Sequence, residues 1–167
     1  MSLPFQPEEI IEIAERAGSI VLSIYQRDFE IKEKTDQSPL TEADMASHKF
    51  ITESLKRLYP GIPLLSEESL DVEMAERMSW KSYWLIDSLY GTKEFVKRNG
   101  EFTVNIAHVQ NHRPVFGVVH APVLDVTYWG GADKASFKKT KEGQQKIRFR
   151  KLPTRISDIK IVGSRSH

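Results

Sequence analysis

The chain has 167 residues, with 24 Lys and Arg against 23 Asp and Glu and a formal net charge of +1. This balance gives no electrostatic reason to expect nucleic acid or a membrane surface as partner. The absence of cysteine excludes disulfides and thiolate chemistry, and no stretch approaches the roughly 18 apolar residues of a membrane span.

The length suits one compact domain with a core that needs no staple. Residues 1–10, MSLPFQPEEI, lack the basic flank and apolar core of a secretory signal. With no cysteine present, the chain reads as cytoplasmic.

In chain order, residues 8–26 form an amphipathic helix, with Ile10, Ile13, Ala14, Ala17, Val21 and Ile24 at helical spacing and Pro7 at its start. A short edge strand is expected at 29–32, then a turn at DQSP. Thr41 opens a second helix, and Thr41 with Asp44 makes a capping box in which Asp replaces Glu. Its apolar stripe runs through Ala43, Ala46, Phe50, Ile51, Leu55 and Leu58, and Tyr59-Pro60-Gly61 ends it. The run IPLL (62–65) leads into Ser66-Glu67-Glu68-Ser69, and residues 71–79 are a short helix or loop. Strands are then expected at 83–87, 103–109, 115–121, 126–129, 135–138 and 146–150. Turns are expected at 111–114 and 130–133. A final strand is expected at 159–162, followed by a loop.

The chemistry-bearing residues sit at the ends of apolar runs. Glu67 and Glu68 follow one run and Asp87 follows another. Carboxylates at the ends of adjacent buried strands can converge on a hard cation such as Mg²⁺; the alternative is solvated loop acids. Thr92 is a candidate to orient a bound water, since a hydroxyl accepts from water while donating elsewhere. It could equally cap a helix beginning at Lys93, with Gly91 and Thr92 offering amides to a phosphate. Asp36 and Asp44 are candidates for a base, with capping the alternative role of Asp44. Lys93, Lys97 and Arg98 form a basic cluster beside this segment, or one solvated helical face. The five His residues show no metal-ligand spacing, and no P-loop, dinucleotide fingerprint or nucleophile elbow is present.

The stretches DQSPLTEAD (36–44), LLSEES and WLIDSLYGTKEFVKRNGEFTVNIA (84–107), with GVVHAP (117–122) and SRSH (164–167), resemble the inositol-monophosphatase-like superfamily of metal-dependent phosphatases. Within it they are most similar to the bacterial CysQ type, the 3'(2'),5'-bisphosphate nucleotidases. The resemblance implies a layered α+β sandwich, with two N-terminal helices on a six-stranded, mainly antiparallel sheet. It also implies a second subdomain, largely missing: residues 1–156 would be the metal-binding subdomain and 157–167 the first strand and loop of the next. Glu67 and Asp87 would bind Mg²⁺ directly, joined by the backbone carbonyl of Leu89, with Glu68 supporting them. Thr92, with Asp36 or Asp44, would position the attacking water, and the Gly91 and Thr92 amides would receive the phosphate. The substrate implied is a small bisphosphate nucleotide, 3'-phosphoadenosine 5'-phosphate, cleaved to AMP and phosphate in sulfate assimilation. Bacterial relatives would associate at most peripherally with the inner membrane, and a homo-oligomer would hide apolar faces left uncovered.

Two departures qualify the resemblance. The family segment Asp-Pro-hydrophobe-Asp-Gly-Thr carries Ser88 at the proline and Tyr90 at the second aspartate. A neutral phenol supplies neither the charge nor the second oxygen of a bridging carboxylate. A further Asp ligand and most nucleoside contacts would lie beyond this chain. The reading is therefore a phosphatase by descent with impaired turnover. Its rivals are a non-catalytic phosphate or nucleotide binder, a structural fragment, and an inositol monophosphatase-like activity.

Overall fold

The computed structural model describes residues 3–33, 39–68, 72–132, 135–149 and 153–161. Helix α1 (Pro7–Tyr25) has Pro7 at its first position and acidic Glu8 and Glu9 in its first turn, where they complement the helix dipole. Every residue of its expected stripe is buried. A hairpin of β1 (Ile31–Glu33) and β2 (Pro39–Thr41) leads to α2 (Glu42–Leu58). Thr41 and Asp44 close the predicted capping box around its start. The buried face of α2 is Ala43, Asp44, Ser47, Ile51, Ser54 and Leu55: Ala43, Ile51 and Leu55 of the expected stripe are in it, Ala46 and Phe50 are only partly buried, and Asp44, Ser47 and Ser54 are added. Leu58 is exposed, and Phe50 is partly buried under the Arg16 guanidinium. The helix is rotated so that Asp44 and Ser47 face the strand ends, where each has a hydrogen-bond partner.

Strand β3 (Leu64–Ser66), the exposed helix α3 (Met74–Ser79), β4 (Ser82–Tyr90), the short helix α4 (Thr92–Val96) and β5 (Thr103–Gln110) follow. Then come β6 (Arg113–Ala121), β7 (Val126–Gly130), β8 (Ser136–Thr140) and β9 (Gly143–Ile147). Strands β4 to β9 run as an antiparallel meander, and β3 adds a seventh strand parallel to β4 at the edge. The sheet is thus the expected antiparallel one with one more strand.

The β5–β6 turn is two residues, Asn111 and His112, both at positive φ, as a hairpin turn of this twist requires. Strand β9 begins three residues before the expected 146–150 because Gly143, at φ 122°, pairs with Thr140 across a tight turn. At 159–162 the expected strand is not formed over residues 159–161, which are irregular after a 3₁₀ turn at Ile156–Asp158. Val162 lies outside the described residues. Ile156 and Ile161 are almost fully exposed, and a strand with no ladder to join is not stable by itself.

Helices α1 and α2 pack on each other and on one face of the sheet. Between them lie Ile10, Val21, Ile51, Leu55, Ile86, Val104, Ile106 and Val118, all buried. An aromatic group of Phe5, Trp84, His108 and Phe116 closes one end. A second, Tyr25, Phe29, Phe95 and Phe102, closes the other, beside α4. Each fully buried aliphatic side chain stabilises the fold by about 1.5–3 kcal/mol. Gly18 lets α1 approach the sheet: a Cβ there would stand 2.3 Å from the His120 ring.

Candidate active site

Parallel pairing of β3 with β4 sets Ser66 opposite Ile86. The next residues are Glu67, just past the end of β3, and Asp87, which stays in β4 opposite Asn105 because β4 runs three residues beyond the expected end at 87, so the two carboxylates lie at one level. Asp87 is half-buried, and its carboxyl is pushed up to about 6. Burial is the main cause, followed by the negative charge of Glu67, with Asp44 and Glu68 adding to it. The Leu89 amide hydrogen-bonds the carboxylate and works the other way. Four carboxylates therefore sense one another at this point, a repulsion that a cation would relieve.

Asp44 is 2 % exposed. Its Oδ2 accepts from the Thr41 amide at 2.7 Å and the Thr41 hydroxyl at 2.5 Å. Its Oδ1 accepts from Thr92 Oγ1 at 3.0 Å. Burial raises the Asp44 pKa, the Thr41 and Thr92 bonds lower it, and Glu68 raises it. Capping and site geometry are thus combined in one side chain, an oxygen for each. Thr92 Oγ1 also lies 3.1 Å from the Leu89 carbonyl. Its single proton has two acceptors, and its lone pairs remain able to accept from a water.

Of the expected Gly91-Thr92 cap, Thr92 is not part, and the helix begins one residue earlier than Lys93. Thr92 is itself the first residue of α4, and Gly91 occupies the cap position in a left-handed conformation, φ 94°. Any side chain at Gly91 would be strained by that φ and would meet the Glu101 carbonyl at 2.9 Å.

Ser88, which the resemblance sets at a proline position, is buried and tied twice to α2. Its hydroxyl donates to the Asp44 carbonyl at 3.2 Å, and its own carbonyl accepts from Ser47 Oγ at 2.9 Å. These bonds replace ring rigidity with tertiary anchoring. The β4–β5 register shifts between Asp87 and Tyr90, so that Ser88 and Leu89 are both buried and Tyr90 is 61 % exposed.

Arg98 does not join a basic cluster at the site. It donates to the Tyr25 and Arg27 carbonyls at the end of α1 and stacks over Phe29, 4.6 Å from its centroid. Lys97 pairs with Glu94. Lys93 is exposed. Asp36 lies outside the described residues. Residues the sequence reading passed over are Ser47, His48 and Ser66. His48 Nδ1 is 3.0 Å from Ser66 Oγ, which accepts the Glu68 amide at 3.3 Å. Their signal was the spacing of Ser47 and His48, three and four residues after Asp44 on one helical face.

A family model, described as the inositol monophosphatase family, matches residues 7–167. The chain belongs to this family. The inositol monophosphatase family is one of metal-dependent phosphatases, and the curated relatives of this chain are named as bisphosphate nucleotidases. The chain is 43% identical over 162 residues to the 3'(2'),5'-bisphosphate nucleotidase CysQ of Salmonella typhimurium, a match covering 96% of this chain and 63% of that protein. It is 42% identical over 142 residues to the CysQ of Aggregatibacter actinomycetemcomitans, covering 85% and 53%. Among solved structures, CysQ from Bacteroides thetaiotaomicron superposes with a TM-score of 0.70 at 34% identity, covering 91% of this chain and 61% of that one. The SuhB structure from Bartonella henselae, at 22% identity and a TM-score of 0.71, shares the fold. The chain spans between half and two thirds of the length of these relatives.

The donor set at the β3 and β4 ends is all oxygen, which suits a hard cation. Among the described residues no three His, Cys, Asp or Glu side chains gather as a ready cation site. Glu67 and Asp87 are the oxygen donors near this point, and a Mg²⁺ ion that keeps several waters takes only one or two carboxylates from a protein. The Glu67 charge, which after burial is the largest influence raising the Asp87 carboxyl, is a repulsion that such an ion would offset.

Proposed function

We propose that this chain is the metal-binding part of a 3'(2'),5'-bisphosphate nucleotidase. In this reading it hydrolyses 3'-phosphoadenosine 5'-phosphate to AMP and phosphate, with turnover lowered by Tyr90. The observation that carries the reading is the Thr92–Asp44 hydrogen bond beside the raised Asp87 carboxyl. The similarity to CysQ proteins supports it. Glu67, Asp87 and the Leu89 carbonyl would hold Mg²⁺, with Glu68 beside them, and the ion would supply charge neutralisation for the phosphoryl oxygens.

The remaining work belongs to the chain. Thr92 Oγ1 accepts a hydrogen bond from the attacking water while donating to Asp44 Oδ1. The water oxygen bonds to phosphorus and the ester P–O bond breaks, the leaving nucleoside oxygen taking a proton from solvent. The water proton passes to Thr92 as the Thr92 proton moves to Asp44, whose burial favours the protonated form. The Gly91 and Thr92 amides orient the phosphate. Asp36 is a second candidate for the proton acceptor.

Tyr90 favours a second reading, a nucleotide or phosphate binder without turnover, because it places a neutral, bulky group where the family has a carboxylate. The deciding experiment is Mg²⁺-dependent phosphate release from 3'-phosphoadenosine 5'-phosphate, with Tyr90→Asp run alongside. Weak release in the chain and a gain of at least tenfold in the variant support the phosphatase reading. Silence in both, with nucleotide binding that ignores Mg²⁺, supports the binder. Turnover of an inositol monophosphate in preference to the nucleotide would replace the substrate class.

A further inference from the structure

Helix α2 presents Asp44, Ser47 and His48 along one face, and each is bonded to a different part of the site. Asp44 accepts from Thr92, Ser47 donates to the Ser88 carbonyl at the end of β4, and His48 meets Ser66 at the end of β3. The helix therefore works as a template whose i, i+3 and i+4 spacing sets the distances between three segments of separate sequence origin.

We propose that His48 is a positioning residue for the Glu67–Glu68 turn, acting through Ser66; this rests on the cation-binding role given to Glu67 above. Ser66 is buried and paired with Ile86, so it is the last fixed point before the two glutamates. Its oxygen accepts the Glu68 amide, and in the proposed arrangement its hydroxyl proton goes to His48 Nδ1, which corresponds to the neutral Nε2–H tautomer. The ring borders surface cavities of about 720 and 660 Å³, with Thr52 and Lys56 lining both. Packing alone does not hold it, and the hydrogen bond to Ser66 fixes its place. Groups supporting cation ligands from behind are worth about 10–100-fold in affinity, which sets the scale of the effect.

The test uses the full chain as His48→Ala, His48→Asn, Ser66→Ala and the double His48→Ala/Ser66→Ala. Two readouts are taken: Mn²⁺ titration followed by water proton relaxation, and amide hydrogen exchange at Glu68 with Ile106 as the core reference. His48→Ala is expected to weaken Mn²⁺ binding about tenfold or more and to speed exchange at Glu68 but not at Ile106. His48→Asn places a carbonyl oxygen where Nδ1 stood, accepts the same hydroxyl, and restores both. The double variant is expected to be no weaker than Ser66→Ala, which already removes the His48–Ser66 bond together with the Glu68 amide bond. Equal behaviour of His48→Ala and His48→Asn, or additive losses in the double, would overturn the proposal. If the parent chain binds no Mn²⁺, the phosphatase reading fails separately, and Glu68 exchange still decides: acceleration rescued by Asn upholds the positioning role, and unchanged exchange rejects it.

Discussion

Thr92 Oγ1 lies 3.0 Å from Asp44 Oδ1, across 48 residues of sequence. One oxygen of Asp44 holds the start of α2 and the other holds the first residue of α4. The two helix starts are therefore locked to one carboxylate, which couples local helix capping to the geometry of the candidate site. Replacing Thr92 with Val keeps the shape and removes the hydroxyl. In the Tyr90→Asp background, phosphate release is expected to fall by about 10²–10⁴-fold. Stability should fall by only about 1 kcal/mol, measured by urea denaturation. Undiminished release would remove Thr92 from the mechanism.

Asp87 makes stability depend on pH in a fixed direction. Its carboxyl stands at about 6 in the fold against 3.8 unperturbed, so the unfolded chain loses this proton first as pH rises. The stability it contributes is present below pH 3.8 and is lost as pH rises through about 6. The shift corresponds at face value to ~3 kcal/mol, which screening at this half-open position reduces to about 1–2 kcal/mol. With chelator present, Asp87→Asn is therefore expected to be more stable than the parent at pH 7.5, and its advantage should vanish near pH 4. Urea midpoints at the two pH values measure this. A destabilised Asp87→Asn at pH 7.5 would contradict the charge-crowding account.

Gly91 tests the turn between β4 and α4. Gly91→Ala meets both a positive φ and the Glu101 carbonyl, and a loss of about 1–3 kcal/mol is expected. Gly61 has open space around an added Cβ and no positive φ. Gly61→Ala should be neutral or stabilising by up to about 1 kcal/mol. Thermal melts of the pair report the contrast, and equal losses would show that the Gly91 conformation is not required.

Arg98 separates a structural cation from an anion ligand. Its bonds go to the Tyr25 and Arg27 carbonyls. Arg98→Ala is expected to lower stability by about 1 kcal/mol and to leave phosphate or nucleotide affinity unchanged by calorimetry. A tenfold weaker affinity with unchanged stability would return Arg98 to the site.

How much was legible varied with the range of the interaction responsible. The α1 stripe, the capping box of Thr41 and Asp44, and the Asn111-His112 turn were all readable, because each depends on neighbours a few residues away. The buried face of α2 was readable only in part, through Ala43, Ile51 and Leu55. Periodicity ranked Phe50 and Leu58 above Ser47, while the helix buried Asp44 and Ser47 to satisfy β4 and α4. The start of β9 was missed because GQQ has no apolar alternation; pairing with β8 makes it a strand. Arg98 read as part of a basic cluster because charge is visible in sequence and the carbonyls that claim it are not.

By itself the sequence determined the starts of α1 and α2, the meander of strands, and the acidic residues that follow the apolar runs of β3 and β4. These follow from propensity, periodicity and residue chemistry, which act over a few positions. Only the tertiary structure decided which residues meet: the Thr92 hydroxyl with Asp44, Ser47 with Ser88, His48 with Ser66. Those contacts depend on how α2 rotates against strand ends from distant segments. That rotation is set by hydrogen bonds that burial makes obligatory.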